Sequence, residues 1–283
     1  MQTKRKLLMC VACICAALSL SAKKPSGNYT DDKKKFTSFF SSDNEAPKAN
    51  QLVDSLYKKI GLDTLGLQRN VFFFAYKGYQ YLLDQGALSN TKILTICDYS
   101  QSSAHKRLYV IDVAEGKLLY NTYVSHGKNS GEEFATSFSN SNNSHKSSLG
   151  FMVTGETYRG RAGFSLRFDG KEPGINDNVR NRGVVLHGSR YVNEQRIEDK
   201  GYVGRSFGCP AVPSEVYKDI IADIKDGSCF FNYSADMHYA MSSKIMNAQF
   251  EWPALKPMLA VNTLVAPASV NDSKGVTATR LSK

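Results

Sequence analysis

The sequence is poor in cysteine, tryptophan, histidine and long apolar runs. It contains six cysteines, one tryptophan and five histidines in 283 residues. Cys10, Cys13 and Cys15 lie near the N-terminus, and the three remaining cysteines are too few for a disulfide-stabilised scaffold. No apolar run approaches the roughly 20 residues that cross a membrane, and no stretch interleaves aromatic with basic residues in a nucleic-acid-binding pattern. These absences argue against a disulfide scaffold, a membrane-spanning protein and a nucleic-acid partner.

The first 22 residues have the pattern of a secretory signal peptide. A basic head from Met1 to Lys6 precedes an apolar stretch from Leu7 to about Leu20, and two small residues follow. We therefore expect residues 1–22 to be removed and the protein to be exported to the periplasm or cell envelope. Lipidation at Cys13 is the less favoured alternative, because only a short apolar run precedes it. Loss of this segment removes three positive charges from the formal net charge of +10.

The next part of the chain predicts a linker followed by a helical segment. Residues 23–46 are rich in lysine, serine, aspartate and asparagine, which predicts a flexible linker. Residues 47–90 predict two helices, the first from Pro47 to Gly61 and the second from about Leu67 to Leu83. We expect the many aromatic side chains of the second helix to pack against the main domain rather than to form a ligand platform.

Residues 91–235 show the composition of strands separated by turns. The strand-like segments are KILTICDY, RLYVIDV, KLLYNTYVSH, GFMVTGETY, FSLRFDG, GVVLH and SCFFNY. A polar loop over residues 127–148 has a length that is usually functional or mobile, and Ser214 is placed to cap one late helix. The pattern predicts a mostly β domain, a sandwich or partial barrel, which with the N-terminal helical pair is α+β overall. Residues 236–283 form a C-terminal extension that we expect to wrap back onto the core near Trp252 and to be disordered from Ser269.

The chemistry concentrates in the stretch from Val184 to Pro213. His187 ends a short apolar strand, and the Gly188 carbonyl could accept its imidazole N–H and fix the tautomer. Cys209 follows the turn formed by Ser206, Phe207 and Gly208, whose backbone N–H groups could face a developing oxyanion.

A thiolate, a base and oxyanion donors make a cysteine acyl-transfer site. Within it we expect the pKa of the Cys209 thiol to be depressed by His187.

Two other interpretations of these residues stay open. His187 could be a strand-end histidine and Cys209 a buried free thiol that never meet, as we expect for Cys97 and Cys229 in their apolar strands. A zinc site could use His187 and Cys209 with His126 or His145, although the paired spacings of structural zinc sites are absent. We expect no metal and no cofactor.

The order of the histidine and the cysteine resembles that of the L,D-transpeptidases of the YkuD-like family, whose signature is His-Gly followed by Ser-x-Gly-Cys. The murein L,D-transpeptidase catalytic domain branch is the most similar. Its matching segments are DYSQSSAHKRLYVIDV, VSHGKNSGEEFATSFSN, SSLGFMVTGETYRGRAGFSLRFDG, GINDN, VVLHG and GRSFGCPAVP. Together they cover roughly residues 92 to 232. The sequence departs from the pattern at Phe207, where many relatives carry a second histidine.

The resemblance implies a function in peptidoglycan metabolism. Cys209 would attack the L-to-D peptide bond of a tetrapeptide stem, and the thioester would pass to an amine, giving a 3–3 cross-link, or to water, giving L,D-carboxypeptidase activity. Anchoring of a protein to the wall, or cleavage of such an anchor, uses the same acyl-enzyme. Tyr158, Arg205 and His126 are substrate-binding candidates, although packing or surface roles are open for each. A carbapenem is the expected covalent inhibitor, and a peptidoglycan-binding scaffold without turnover is the non-enzyme alternative.

Overall fold

A computed structural model describes residues 47–252 of the chain. The predicted signal peptide, the linker and the disorder expected from Ser269 lie outside this range. Both predicted N-terminal helices are present, α1 over Pro47–Ile60 and α2 over Arg69–Asp84. Gly61 follows α1 with a φ of 73°, the left-handed conformation that commonly ends a helix. Within the described range, no helix has both the length and the apolarity needed to cross a bilayer.

Eight strands form one sheet. They are β1 Ile93–Asp98, β2 Leu108–Asp112, β3 Lys117–Thr122, β4 Gly150–Gly160, β5 Gly163–Gly170, β6 Val185–Ser189, β7 Ala211–Pro213 and β8 Cys229–Tyr233. Their order is β3-β2-β1-β8-β4-β5-β6-β7. The β1–β8 and β6–β7 pairs are parallel, and the other neighbours are antiparallel.

The two ends of this sheet almost meet, because the chain that continues beyond β3 bonds to the chain around β7. The Ser125 N–H donates to the Ala211 carbonyl at 2.8 Å, and the Ser206 N–H donates to the His126 carbonyl at 2.9 Å. Gly127 and Ser206 form an isolated parallel bridge. Closure removes the exposed edges of the sheet. The partial-barrel form of the prediction is therefore confirmed, and the chain forms one continuous sheet rather than a two-sheet sandwich.

Aromatic side chains fill the interior of the sheet and its contact with α2. Phe151 and Phe231 stack at a centroid separation of 4.0 Å, and burying each such side chain contributes about 2–3 kcal/mol. Five of the six aromatic residues of α2 are buried against this core and the sixth, Tyr81, is partly buried, so the predicted packing is confirmed. Trp252 packs on two of them, Phe73 at 5.9 Å and Tyr76 at 6.3 Å, so the predicted return of the C-terminal segment to the core is also confirmed.

Three helices follow β6, where the sequence predicted one. They are α3 Glu194–Lys200, α4 Tyr217–Ile224 and α5 Met237–Ser242. The prediction that Ser214 caps α4 is wrong, since Val216 occupies the N-cap position without a side-chain bond. Residues 194–200 show no apolar periodicity that would predict α3, because that helix buries no residue. Asn193 caps it instead, accepting the Arg196 N–H at 2.7 Å.

A buried carboxylate joins α5 to the barrel. Glu172 is 2% exposed and accepts the Phe151 N–H at 2.7 Å and the Tyr239 hydroxyl at 3.1 Å, together with the Ser243 hydroxyl. Burial raises the pKa of this carboxyl, and these donors oppose the shift. The loop after β5 is therefore anchored by its polar side chains.

Candidate active site

The parallel pairing of β6 with β7 brings Cys209 beside the strand that carries His187. His187 pairs with Ala211, so Cys209, two residues earlier, lies level with Val185. The Val185 N–H is 3.5 Å from the Cys209 sulfur, and the thiol donates to the Gly183 carbonyl at 3.7 Å. Val185 and His187 point to the same face of the sheet because they are two residues apart on one strand. Among the described residues, no hydrogen bond joins the sulfur to the His187 ring.

The His187 ring is oriented by its own neighbour in the chain. Its Nδ1 lies 3.0 Å from the Gly188 carbonyl oxygen, as the sequence predicted. A carbonyl only accepts, so Nδ1 carries the proton and Nε2 keeps its lone pair. Burial lowers the pKa of His187 and the Gly188 carbonyl opposes the shift, which favours a neutral imidazole at neutral pH. A Cβ on Gly188 would lie 2.5 Å from the Tyr217 ring, so only glycine fits beside α4.

The turn before Cys209 is held by Ser206. Its hydroxyl donates to the Cys209 carbonyl at 2.6 Å and accepts the Gly208 N–H at 3.0 Å. Gly208 has a φ of 120°, which disfavours any residue with a side chain. The Gly208 N–H is already engaged, whereas the Cys209 N–H has no partner among the described residues and is free to donate to an oxyanion. Ser206 and Gly208 thus support the turn, and Phe207 projects outward with 68% exposure.

The environment of the Cys209 thiol corrects one expectation. Burial raises the pKa of the thiol, while the Val185 N–H and the Arg182 guanidinium oppose the shift. The sequence analysis expected a depressed value from pairing with His187, but His187 makes no hydrogen bond to the sulfur. The raised pKa of the thiol and the lowered pKa of the imidazole both favour the neutral forms, so any attack by the thiol would need an accompanying proton transfer.

Arg182 is a functional candidate that the sequence analysis missed. Its guanidinium donates to the Ser139 carbonyl at 2.6 Å, the Lys146 carbonyl at 2.7 Å and the Ser144 hydroxyl at 3.1 Å, and also reaches Ser148. It lies beside Gly208, where an added Cβ would be 3.5 Å from its Nη2. Arg182 therefore fixes the 127–148 loop against the turn at residues 206–209, which we call the nucleophile turn for the predicted role of Cys209, and brings a positive charge near the thiol. These hydrogen bonds join residues that are more than 30 positions apart in the chain, so no short sequence motif predicts them.

The family follows from the sequence match that accompanies this geometry. The L,D-transpeptidase catalytic domain (YkuD_2) profile matches residues 64–233, which is more than half of the chain. The chain belongs to the L,D-transpeptidase catalytic domain family. The matched range includes α2, all eight strands and both His187 and Cys209. No curated protein gives a significant match to the chain.

Solved structures of L,D-transpeptidases are similar at low identity. An L,D-transpeptidase from Mycobacterium smegmatis is 13% identical with a TM-score of 0.33, over 50% of this chain and 59% of that one. An L,D-transpeptidase solved with imipenem is 12% identical with a TM-score of 0.32, over 50% and 59%. One from Stackebrandtia nassauensis is 12% identical with a TM-score of 0.32, over 74% and 92%. The chain thus spans about three-fifths of the first two relatives.

Tyr158 lies on the same face of the L,D-transpeptidase sheet as His187. It pairs with Ser165, Ser165 pairs with His187, and His187 pairs with Ala211, so the four form one row across β4 to β7. Two strand spacings separate Tyr158 from His187, roughly 10 Å. The Arg167 guanidinium stacks on the Tyr158 ring at 4.2 Å. Tyr158 is therefore placed where a substrate bound at the site could reach it.

Arg205 and His126 are engaged within the protein instead. Arg205 donates to the Gly131 carbonyl at 3.1 Å and lies 3.9 Å from Glu132. His126 has no exposed surface. Its Nδ1 accepts from Arg107 at 2.7 Å, and its Nε2 is 3.3 Å from the Gly131 carbonyl. Of the roles left open for these residues, the structure favours the structural one, in which both support the loop that borders the site.

The structure also bears on the two other cysteines of the described range and on the alternative of a zinc site. Cys97 and Cys229 are free and completely buried in β1 and β8, as predicted, and burial raises the pKa of the Cys97 thiol to about 12. Residues 47–252 contain no group of three His, Cys, Asp or Glu side chains that could hold a metal ion. Of the three free thiols in residues 47–252, Cys209 is the one that is not completely buried.

Proposed function

We propose that the protein is an exported peptidoglycan L,D-transpeptidase with Cys209 as its nucleophile. The observation that carries the proposal is the position of Cys209, two residues before β7, against the strand whose His187 ring is oriented by Gly188. Membership of the family gives the reaction class. The exported location rests on the sequence of residues 1–22.

In the proposed first step, the Cys209 sulfur attacks the carbonyl carbon of the L-to-D bond in a tetrapeptide stem. His187 Nε2 takes the thiol proton and delivers it to the departing amine of the terminal D-residue. The Cys209 N–H donates to the oxyanion, and the Arg182 charge favours the forming thiolate. The products are a thioester and a free D-amino acid.

In the second step, an amine on a neighbouring stem attacks the thioester, or water does. The amine gives a 3–3 cross-link, and water gives a trimmed tripeptide, the L,D-carboxypeptidase outcome. Anchoring of a wall protein, or cleavage of such an anchor, follows the same course with a different acyl acceptor. Tyr158 supports the stem from the face shared with His187. A carbapenem would acylate the same sulfur.

The test is muropeptide analysis after incubation of the purified protein with tetrapeptide-rich sacculi. The wild type should produce 3–3 linked dimers or tripeptide stems, and Cys209→Ala should produce neither while its circular dichroism is unchanged. Formation of both products by the folded Cys209→Ala protein would refute the proposal.

One observation favours a second candidate, a peptidoglycan-binding scaffold without turnover: among the described residues, the Cys209 sulfur is bonded to Val185 and Gly183 and not to the His187 ring. The raised pKa of the Cys209 thiol is the property expected of an inert cysteine. Binding of wild-type protein to sacculi without any change in muropeptides would support the scaffold. A mass increase on Cys209 after incubation with imipenem would support the enzyme.

A further inference from the structure

Three side chains cluster on the outer side of the nucleophile turn and have no part in the mechanism above. Phe207 is 68% exposed, although it is a large apolar residue only two positions before Cys209. The Lys128 ammonium lies 4.6 Å from the centroid of its ring, and the His145 ring lies 4.7 Å from it. We call Lys128, His145 and Phe207 the cationic platform.

The backbone fixes the cationic platform to the turn that carries the nucleophile. The Lys128 N–H donates to the Ser206 carbonyl at 2.8 Å. A Cβ on Gly127 would collide with the His145 carbonyl oxygen and lie 3.0 Å from the Gly208 Cα. Three segments distant in sequence therefore touch with no room for a side chain between them. Each contributes one outward-facing side chain to the platform.

The Lys128 charge has no acidic partner in the described chain. The nearby Glu132 pairs with Arg205 instead, at 3.9 Å. The ammonium is held over an aromatic face, an arrangement worth about 0.5–1 kcal/mol at an exposed site, and its remaining N–H donors face solvent. Such a group binds an anion, and the exposed ring offers an apolar surface next to it.

We propose that the cationic platform binds the carboxylate of an amino acid whose amine enters or leaves the acyl-enzyme. The inference rests on the proposed function, because it names the ligand at the acceptor side of the same site. The leaving D-residue is an amine with a carboxylate on the adjacent carbon, and an acceptor that is itself an α-amino acid has the same chemical unit. Both must bring that amine to the same carbonyl carbon, so one subsite serves both.

The transfer step defines what the subsite has to position. The acceptor nitrogen forms a bond to the thioester carbonyl carbon, the C–S bond breaks, and the proton lost by the nitrogen passes through His187 to the Cys209 sulfur. Water competes for the same thioester. Binding of the acceptor carboxylate by Lys128 raises the local concentration of the amine and shifts the outcome from hydrolysis to transfer.

The test compares two acceptors that differ only in charge. The acyl-enzyme formed from a tetrapeptide with terminal D-alanine is allowed to partition between water and added D-alanine or D-alaninamide, with isotope labels to separate the released D-alanine from the added one. In the wild type, D-alanine should be preferred over D-alaninamide by about two- to five-fold, the upper part of the range of one exposed ion pair. Lys128→Met should remove that preference while the acyl-enzyme still forms.

Two variants complete the design. Lys106→Met is the matched control. Lys106 also lies over an aromatic ring, 5.6 Å from the Tyr123 centroid, but it is in the segment before β2 and not beside the nucleophile turn. It should retain the wild-type preference. Phe207→Ala removes the ring that holds the ammonium and should weaken the preference without loss of folding, because Phe207 is exposed.

If Lys128→Met forms the acyl-enzyme normally and keeps the preference for D-alanine, the cationic platform does not bind the carboxylate, while the proposed function still stands. Failure of the wild type to form any acyl-enzyme would overturn the proposed function itself.

Discussion

The imidazole of His187 is bonded to the carbonyl of the residue that follows it, Gly188, at 3.0 Å from Nδ1. The bond places the ring proton on Nδ1 and leaves Nε2 as the basic nitrogen. A backbone carbonyl thus does the orienting that a carboxylate does in many catalytic triads. Burial lowers the pKa of His187, and the uncharged carbonyl opposes this shift less than a carboxylate would, because it stabilises an imidazolium less.

Replacement of His187 tests its role as the base. His187→Gln should lower kcat/KM for tetrapeptide cleavage by about 10²- to 10⁴-fold, the range of general acid–base catalysis. His105→Gln is the control, because His105 is an exposed histidine outside the site, and it should leave the rate unchanged. Equal rates in wild type and His187→Gln would remove His187 from the mechanism.

The reactivity of Cys209 should depend on pH as a buried thiol does. Since burial raises its pKa, the rate of alkylation by iodoacetamide should still be rising with pH where a free cysteine has reached its plateau. Peptide mapping assigns the label to Cys209. A plateau already reached at neutral pH would mean that the free enzyme holds a thiolate, contrary to the geometry described.

Arg182 should influence both the thiol and the neighbouring loop. Arg182→Met removes the charge that opposes the rise in the Cys209 pKa, so the alkylation profile should move to higher pH. Arg182→Lys keeps a positive charge but lacks the planar guanidinium that donates to the loop carbonyls. Compared with Arg182→Met, it should therefore recover the wild-type pH profile of alkylation more fully than the wild-type turnover rate. Arg161→Met, at the exposed β4–β5 turn, is the control. An unaltered pH profile of alkylation in Arg182→Met would show that the Arg182 charge does not affect the pKa of the Cys209 thiol.

The buried pair of His126 and Arg107 should make the fold sensitive to acid. Burial and the neighbouring guanidinium lower the pKa of His126 to about 3 from an ordinary value of 6.5. The unfolded chain therefore binds a proton that the folded protein excludes, and stability falls as the pH drops from 6.5 towards 3. One such group contributes at most about 1.4 kcal/mol per pH unit.

Urea titrations between about pH 7 and about pH 4 measure this effect. His126→Asn keeps an acceptor for Arg107 but cannot titrate, so its free energy of unfolding should fall less steeply than that of the wild type. Parallel slopes in the two proteins would assign the acid sensitivity to other groups.

The part of the site that could be predicted from the sequence is the part built from neighbours in the chain. The His187–Gly188 hydrogen bond joins adjacent residues at a strand end, and the turn held by Ser206 spans four residues. Both can therefore be predicted from short stretches of sequence. The strands were predictable for the same reason, since alternation and turn residues are local. The order of His187 and Cys209 then indicated the family.

The remaining features depend on residues far apart in sequence. The bonds of Arg182 to residues 139–148 and the position of Lys128 over Phe207 form only when the 127–148 loop closes on the nucleophile turn. The raised pKa of Cys209 depends on how much solvent the surrounding strands exclude, which a pattern of residue types does not specify. The sequence left open whether His126 binds substrate or supports the structure. Only the fold shows that its ring is buried and bonded to Arg107.

The central claim is that Cys209 forms a thioester with a peptidoglycan stem. Intact-protein mass spectrometry after rapid mixing with a disaccharide-tetrapeptide tests it most directly. The account predicts a mass increase equal to the mass of the substrate less that of the released free D-amino acid, mapped to Cys209 and absent in Cys209→Ala. Release of the D-residue by the wild type with no adduct on Cys209, and at the same rate by Cys209→Ala, would contradict it.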